Sequence, residues 1–216
     1  MSVIEKVMER RTYKVIGDLQ LPVQVNKLEK AKIDEFLSAS ANAPFHYACD
    51  RIHKTLLSSS VPWRVHKLQA NDCNALKDFL TQSGDVTKVP NMLSAASFLF
   101  QVTWLPDENT IVNRDAGKEE QAFLGTMRNM EHIAAASAFI QSLLLLGEEQ
   151  GFMTYWSSGG ALKSARVFEH LEIPLSELLL GSIFFFSKDV DHAEIKMGAM
   201  KDARGEVGDF SRWCKI

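Results

Sequence analysis

The sequence has few cysteines and no excess of charge of one sign. Its 216 residues include three cysteines, Cys49, Cys73 and Cys214, and no Cys-x-x-Cys pair. Their odd number and wide spacing argue against a disulfide framework and against a zinc site. The chain carries 24 basic and 27 acidic residues, a formal net charge of −3, so no global field favours nucleic acid or an anionic membrane. These absences favour a cytoplasmic protein whose anion sites are local.

Long uninterrupted apolar runs are also missing. The most apolar stretch, residues 133–146, is broken by Ser137, Gln141 and Ser142, and the N-terminus lacks the apolar segment of a signal peptide. The sequence therefore predicts neither a membrane span nor a secretory signal. With 46% apolar and 24% charged residues, the composition is that of an ordinary globular protein, and the length fits a single domain over residues 1–216.

Several motifs of well-known sites are absent as well. No Gly-x-Gly-x-x-Gly follows a predicted strand, and the chain has no Walker loop, no Gly-x-Ser-x-Gly elbow and no His-Glu-x-x-His. These absences argue against Rossmann, kinase and zinc-protease sites. The six histidines show no metal-ligand spacing, so we expect no bound metal.

Hydrophobic periodicity predicts helices that alternate with short strands. Ser2 caps a first helix that ends near Arg10, with Glu5 placed to complete a capping box. Further helices are predicted at residues 28–41, 73–81, 118–150 and 162–171. In the long helix, residues 134–138 permit close approach of a neighbouring helix.

Strand patterns occur at three places. Residues 62–68 alternate as a half-buried strand, residues 98–104 have the aromatic and branched side chains of a central strand, and residues 178–186 predict a strand buried on both faces. The tail, residues 188–216, is polar and irregular, with Phe210 and Trp213 as predicted aromatic anchors.

The end of the first helix carries a cluster of hydrogen-bond donors. Arg10, Arg11 and Thr12 supply two guanidinium groups and a hydroxyl, a set that suits a phosphate monoester. The same arginines could instead complement the negative carboxyl end of the helix. Both interpretations stay open on these residues alone.

Four short motifs, taken in order, resemble signatures of the flavin nitroreductase family. The family signatures read Arg-Arg-Ser, Ala-Pro-x-His, Pro-Trp-Arg-Phe and Gly-Leu-Gly-x-x-Trp-x-x-Gly. The corresponding segments here are Glu9-Arg10-Arg11-Thr12, Ala43-Pro44-Phe45-His46, Pro62-Trp63-Arg64-Val65 and Gly151-Phe152-Met153-Thr154-Tyr155-Trp156-Ser157-Ser158-Gly159. Each motif alone is unspecific, and their order and spacing carry the resemblance.

The resemblance implies an α+β fold of the nitroreductase type. A central mixed or antiparallel sheet would be flanked by helices, with the long central helices at a dimer interface and FMN in the cleft between the subunits. It also implies the residues that bind the cofactor. These are Arg10, Arg11, Thr12 and Arg204 at the phosphate and ribityl chain, Lys201 near them, His46 nearby, and Trp156, Ser157, Ser158 and Gly159 against the flavin.

The resemblance further implies a function. The chain would be an FMN-dependent NAD(P)H oxidoreductase, a homodimer that reduces nitroaromatics, quinones or similar small-molecule acceptors by a ping-pong mechanism. The flavin would carry the chemistry, so no catalytic side chain is expected. Two alternatives remain: a flavin-binding protein without nicotinamide turnover, in flavin storage or modification, and a non-catalytic interaction module.

The sequence departs from the family pattern at three places. Thr12 replaces a serine and keeps the hydroxyl, and Phe45 replaces a polar residue. Residues 47–61 separate His46 from Pro62, where the related subgroup has only a few residues. This insertion either moves His46 away from the flavin or shapes a substrate pocket. Trp63 is predicted to be a core aromatic residue, whereas the polar, glycine-rich surroundings of Trp156 suit close approach to a ligand.

Overall fold

The computed structural model describes residues 2–23, 27–109, 125–201 and 203–214. The helices in this part of the chain are α1 (Val3–Glu9), α2 (Lys27–Ser40), α3 (Ala70–Gln82), α4 (Val89–Ala95), α5 (Met127–Glu149), α6 (Ala165–His170) and α7 (Val207–Phe210). The strands are β1 (Tyr13–Ile16), β2 (Trp63–Gln69), β3 (Phe98–Trp104), β4 (Met153–Ser157), β5 (Leu178–Phe186) and β6 (Glu194–Met197). Short 3-10 turns lie at Arg51–Lys54, Gly160–Lys163 and Ala199–Lys201.

The centre of the fold is a four-stranded antiparallel sheet in the order β2-β3-β5-β4. All seven residues of β3 are buried, as are eight of the nine in β5. Continuous apolar sequence suits strands covered on both faces, so the predictions for 98–104 and 178–186 are confirmed. The α+β fold class is confirmed too, and of the two expected sheet types, mixed or antiparallel, the central sheet is antiparallel.

Helix α5 packs along this sheet. Thr126 caps it by accepting a hydrogen bond from the Asn129 N–H, and Ile140 and Leu144 are buried in the core. The sequence predicts that this helix starts at residue 118. In the structure, residues 125 and 126 precede the helix, and residues 118–124 lie outside the described residues. In the described part of the chain, α5 alone has the length and hydropathy of a membrane span, but its apolar stripe is buried against the sheet.

A second, two-stranded sheet joins the two ends of the chain. Strands β1 and β6 pair antiparallel, with Tyr13 opposite Met197, and Gly198 N–H donates to the Thr12 carbonyl at 2.9 Å. Neither strand is predicted from the sequence, and the expectation of an irregular tail is wrong for residues 194–197. The pairing carries the tail back to the end of α1.

Other local predictions need correction. Helix α4 was not predicted, and the predicted helix at 162–171 is a 3-10 turn followed by α6, because Ser164 caps a new helix by accepting from the Val167 N–H. Phe210 and Trp213 are 70% and 97% exposed. They are not anchors against the described part of their own chain, because no apolar surface there covers them.

Candidate functional site

Two arginines from opposite ends of the sequence influence each other's charge beside the end of α1. Arg10 is the C-cap of α1. Burial lowers the pKa of the Arg10 guanidinium, the nearby Glu148 carboxylate raises it, and the positive charge of Arg204 lowers it further. Two like charges approach each other here although they repel. A concentration of positive charge of this kind suits an anion.

The β1–β6 pairing produces this arrangement. Because β6 runs beside β1, the residues after it turn back over Thr12, and a Cβ on Gly198 would lie 3.1 Å from the Thr12 Cβ. The backbone of Lys201 lies in the 3-10 turn that follows, and Arg204 comes three residues later. Arg11 and Thr12 are partly exposed between α1 and β1. The predicted phosphate-binding residues thus converge around one short segment.

The Trp156 segment lies on the edge strand β4. The indole of Trp156 packs against Gly181 so closely that a Cβ there would overlap its Nε1, and Nε1 donates to the Leu180 carbonyl at 3.4 Å. At the end of β4, Gly159 has φ +101°, a backbone conformation that favours glycine. Its N–H donates to Ser157 Oγ at 3.2 Å. The chain therefore bends sharply here and leaves Ser158 exposed.

A buried polar pair underlies this bend. Ser182 lies opposite Ser157 in the β4–β5 register and donates to Gln101 Oε1 at 2.5 Å. Gln101 Nε2 in turn donates to the Leu162 carbonyl at 3.4 Å. Both Gln101 and Ser182 are fully buried. Sequence analysis missed them, although a glutamine inside an otherwise apolar strand is a signal, because a buried amide needs partners.

Arg10, Arg11, Thr12 and Arg204, which we call the arginine cluster, adjoin the strand that carries Trp156. Strand β1, which directly follows Arg10, Arg11 and Thr12, lies beside β4, and the Lys14 Nζ is 5.8 Å from the centroid of the Tyr155 ring. Successive side chains of a strand point to opposite faces, so Lys14 lies on the face of β4 opposite to the Trp156 indole. The two predicted groups therefore adjoin the same strand but do not share a face at Tyr155 and Trp156. Glu148, at the end of α5, lies near Arg10 and was not predicted.

His46 lies elsewhere. Its side chain is 74% exposed, and Nδ1 is 3.3 Å from Glu131 Oε2 near the start of α5. Glu131 precedes Glu148 by 17 residues, which at the helical rise separates them by about 25 Å. Within one chain, the structure thus does not bring His46 to the arginine cluster.

The insertion at residues 47–61 is an ordered loop built around Arg64. Arg64 is 3% exposed, and its guanidinium donates to six atoms. They are the carbonyls of His53 (2.8 Å), Leu57 (3.2 Å), Ser59 (3.1 Å), Val61 (3.0 Å) and Trp63 (2.7 Å), and Cys49 Sγ (3.7 Å). Arg64 therefore stabilises the loop. Trp63 is a core residue, as predicted, stacked on Phe139 with the ring centroids 5.4 Å apart.

Two histidines hold the loop and α5 to consecutive carbonyls after β3. His53 Nε2 lies 2.8 Å from the Pro106 carbonyl, and His132 Nδ1 lies 2.6 Å from that of Leu105. Burial lowers the pKa of His132, which favours its neutral form. Within the residues that the structure describes, no three His, Cys, Asp or Glu side chains are placed to hold a metal ion.

Comparison with known proteins sets the fold in context. No protein-family model matches the sequence, and no curated protein matches it. Solved structures do match over the whole chain. A nitroreductase-like family protein from Bacillus cereus has a TM-score of 0.66 at 18% identity, covering 100% of this chain and 97% of its own. The chain has the nitroreductase-like fold.

Two further structures share this nitroreductase-like fold. The FMN- and NADPH-dependent nitroreductase NfnB of a Sphigopyxis strain is 13% identical, with a TM-score of 0.62 and full coverage of both chains. Nitroreductase CinD of Lactococcus lactis, in complex with nicotinic acid, is 15% identical with a TM-score of 0.60, covering 99% of this chain and all of its own. At these identities the likeness shows the fold alone.

Proposed function

We propose that the protein is an FMN-dependent NAD(P)H oxidoreductase that reduces nitroaromatics, quinones or similar acceptors. The observation that carries the proposal is the β1–β6 pairing within a nitroreductase-like fold, which returns the tail of the chain to Thr12. There the charge of Arg204 acts on Arg10. If the arginines only complemented the negative carboxyl end of α1, no second guanidinium from the far end of the chain would be needed there. A phosphate dianion does require several charge-assisted donors, and it would relieve the repulsion between these two.

The residues at the cluster suit the phosphate of FMN. Arg10 and Arg204 supply positive charge, Thr12 supplies a hydroxyl, and Arg11 and Lys201 lie in the adjoining segments. The Glu148 carboxylate beside Arg10 keeps the net local charge modest. We therefore expect it to hold Arg10 in position rather than to contact the phosphate itself, since two anions repel each other.

The Trp156 segment suits the ring of a flavin. An isoalloxazine needs an apolar or aromatic surface with a few hydrogen-bonding partners, and Trp156, Ser157, Ser158 and Gly159 offer both. The sharp turn at Gly159 leaves Ser158 exposed, so its hydroxyl is open to a ligand. When bound, FMN would supply hydride acceptance from NAD(P)H and electron transfer to the acceptor; the chain itself binds, orients and shields.

A homodimer would complete the site. Along α5, a stripe of exposed or partly exposed residues runs through Met127, Met130, Ala134, Ser137, Ala138, Gln141 and Leu145 to Glu148. Small residues at its centre allow a second helix to approach closely. A two-fold axis at Ser137 and Ala138 pairs the helices antiparallel, so that His46 of one protomer lies near the arginine cluster of its partner. His46 would reach FMN across this interface.

The solved relatives support the proposal. NfnB is FMN- and NADPH-dependent, and the CinD structure is a complex with nicotinic acid, which shares its pyridine ring with nicotinamide. A flavin-storage role would need the same phosphate site, so donor oxidation separates the two functions.

Steady-state kinetics test the proposal. We expect the FMN-loaded protein to oxidise NADPH or NADH with menadione or a nitroarene as acceptor, and to give parallel double-reciprocal lines as the second substrate is varied, since donor and acceptor use one pocket in turn. Bound FMN without turnover of either nicotinamide would favour the storage role. Failure to bind FMN would reject both.

A further inference from the structure

A row of polar side chains crosses three strands of the central sheet and ends where β4 ends. Gln101 of β3 lies opposite Ser182 of β5, and Ser182 lies opposite Ser157 of β4. Directly opposite residues of an antiparallel pair project from the same face of a sheet, so the three side chains are neighbours. Gln101 and Ser182 are fully buried. The row therefore leads from the middle of the core to the bend at Gly159.

Hydrogen bonds connect this row to the turn that follows the bend. Ser182 Oγ donates to Gln101 Oε1 at 2.5 Å, and Gln101 Nε2 donates to the Leu162 carbonyl at 3.4 Å. The Leu162 N–H in turn donates to the Gly159 carbonyl at 3.0 Å, which closes the turn. Gln101 therefore holds, through Leu162, the turn that begins at Gly159.

Ser182 also lies against the bend itself. A Cβ built on Gly159 would be 3.6 Å from Ser182 Oγ and would overlap the Leu179 side chain at 2.5 Å. The backbone of Gly159 is thus packed closely on side chains of β5. A shift of Ser182 or of Gln101 must therefore move Gly159, and with it the exposed Ser158 that precedes it.

Stability alone does not explain a polar pair at this place in the core. Burying an amide and a hydroxyl costs free energy that their hydrogen bonds only offset, and the net gain of a typical hydrogen bond is about 1 kcal/mol. An apolar pair of similar size would suit a buried sheet as well. Hydrogen bonds differ from apolar contacts in being directional, so Gln101 and Ser182 fix the position of the turn more narrowly.

We propose that Gln101 and Ser182 are positioning residues for the flavin ring. They hold the bend at Gly159 so that Ser158 and the adjoining backbone meet the ring of FMN in one orientation. Hydrogen bonds to a flavin ring tune its electronic properties, so the pair sets the reduction potential of the bound flavin from beneath the bend. The inference rests on the proposed function of the same site, and it concerns the ring rather than the phosphate.

Two variants test the positioning. Gln101→Met keeps the length of the side chain without its amide, and Ser182→Ala removes the hydroxyl. We expect each to weaken the binding of FMN and of riboflavin by the same factor, roughly five- to ten-fold, the loss that corresponds to about one hydrogen bond. We also expect the reduction potential of the bound flavin to fall, because displaced donors stabilise the electron-rich reduced ring less well. Flavin fluorescence and titration against reference dyes measure the two effects.

Ser94→Ala is the matched control for Ser182→Ala. Ser94 is also buried, and its hydroxyl donates to the Asn91 carbonyl within α4 at 2.8 Å, away from the bend. We expect a similar fall in melting temperature, with the flavin affinities and the reduction potential of the wild type. If Ser94→Ala changes the potential as much as Ser182→Ala does, the effect is a general loosening of the core and the inference is overturned.

The wild-type protein separates failure of this inference from failure of the proposed function. If it binds FMN and oxidises NADPH or NADH, but both Gln101→Met and Ser182→Ala leave the potential and the riboflavin affinity unchanged, the positioning role is wrong and the reductase stands. A loss confined to FMN would also overturn the inference, because the pair would then act on the phosphate. If the wild-type protein binds no FMN, the reductase itself is wrong.

Discussion

Gly181 lies directly against the indole of Trp156, with no room for a Cβ between the two residues. We expect Gly181→Ala to push Trp156 out of place, because adding a methyl group to a packed interior typically costs about 1–3 kcal/mol. The melting temperature should fall by several degrees, and the flavin content should fall with it. Gly125→Ala is the control, since nothing described lies within 4 Å of its Cβ. Equal melting temperatures for the two variants would contradict the packing described for Trp156.

The hydrogen bonds of Arg64 predict that replacing it disorders one segment, residues 47–61. In Arg64→Lys the ammonium offers three donors, so at least two of the five carbonyls that the guanidinium serves lose their partner. We expect the free energy of unfolding to drop by about 2–4 kcal/mol and proteolysis to begin within residues 47–61. Lys54→Gln, which removes one exposed contact to Ser60, should change stability by less than about 0.5 kcal/mol. Urea titration and limited proteolysis measure both, and protection of the loop in Arg64→Lys would count against its role.

The buried imidazole of His132 should make the free energy of unfolding depend on pH. Burial holds the pKa of its imidazole below the ordinary value of 6.5, and the Leu105 carbonyl opposes this effect only in part. The unfolded chain therefore takes up the proton first as pH falls, and stability that is fully present above pH 6.5 is lost towards the lower pKa of the folded state.

The test compares two substitutions over that range. His132→Gln should flatten the decline in the free energy of unfolding between about pH 7 and about pH 5. His192→Asn keeps the wild-type decline, because His192 is exposed and its left-handed backbone, φ 57°, tolerates asparagine. A profile of His132→Gln as steep as that of the wild type would remove His132 as the cause.

The arginine cluster predicts discrimination between FMN and riboflavin, which differ by the phosphate. We expect Arg10→Ala and Arg204→Ala each to weaken FMN binding by roughly 10- to 100-fold and to leave riboflavin binding unchanged. Arg166→Ala is the control, since Arg166 lies over the Phe79 ring, away from the cluster. Fluorescence quenching of each flavin measures the affinities. Equal losses for both flavins would place the two arginines at the ring rather than at the phosphate.

Local pattern predicted much of the fold. Strands β3 and β5 followed from continuous apolar sequence, and α1 from its capping box, because these signals act between near neighbours. Strands β1 and β6 escaped prediction because each is only four residues long and its partner lies at the opposite end of the chain. All four residues of β6 are also exposed. Their stability comes from tertiary pairing rather than from propensity.

The candidate site, too, could be predicted only in part. Arg10 and Trp156 could be named from motifs, but only the β1–β6 pairing shows how Arg204 reaches Arg10. No sequence signal indicated that residues 47–61 are ordered by Arg64, since a buried arginine inside a strand pattern resembles an exposed one. The role of His46 could not be predicted either. Within one chain it lies far from the arginine cluster along α5, so a contact with FMN depends on the second subunit of the proposed dimer.

The most direct test of the account is the visible absorption spectrum of the purified protein, followed by anaerobic addition of NADPH or NADH. We expect a yellow protein, with its FMN retained by the arginine cluster, whose flavin absorbance bleaches on addition of the nicotinamide and returns when menadione is added. A protein that stays colourless after incubation with FMN would contradict the account. A yellow protein that does not bleach would support the FMN site and contradict the reductase function.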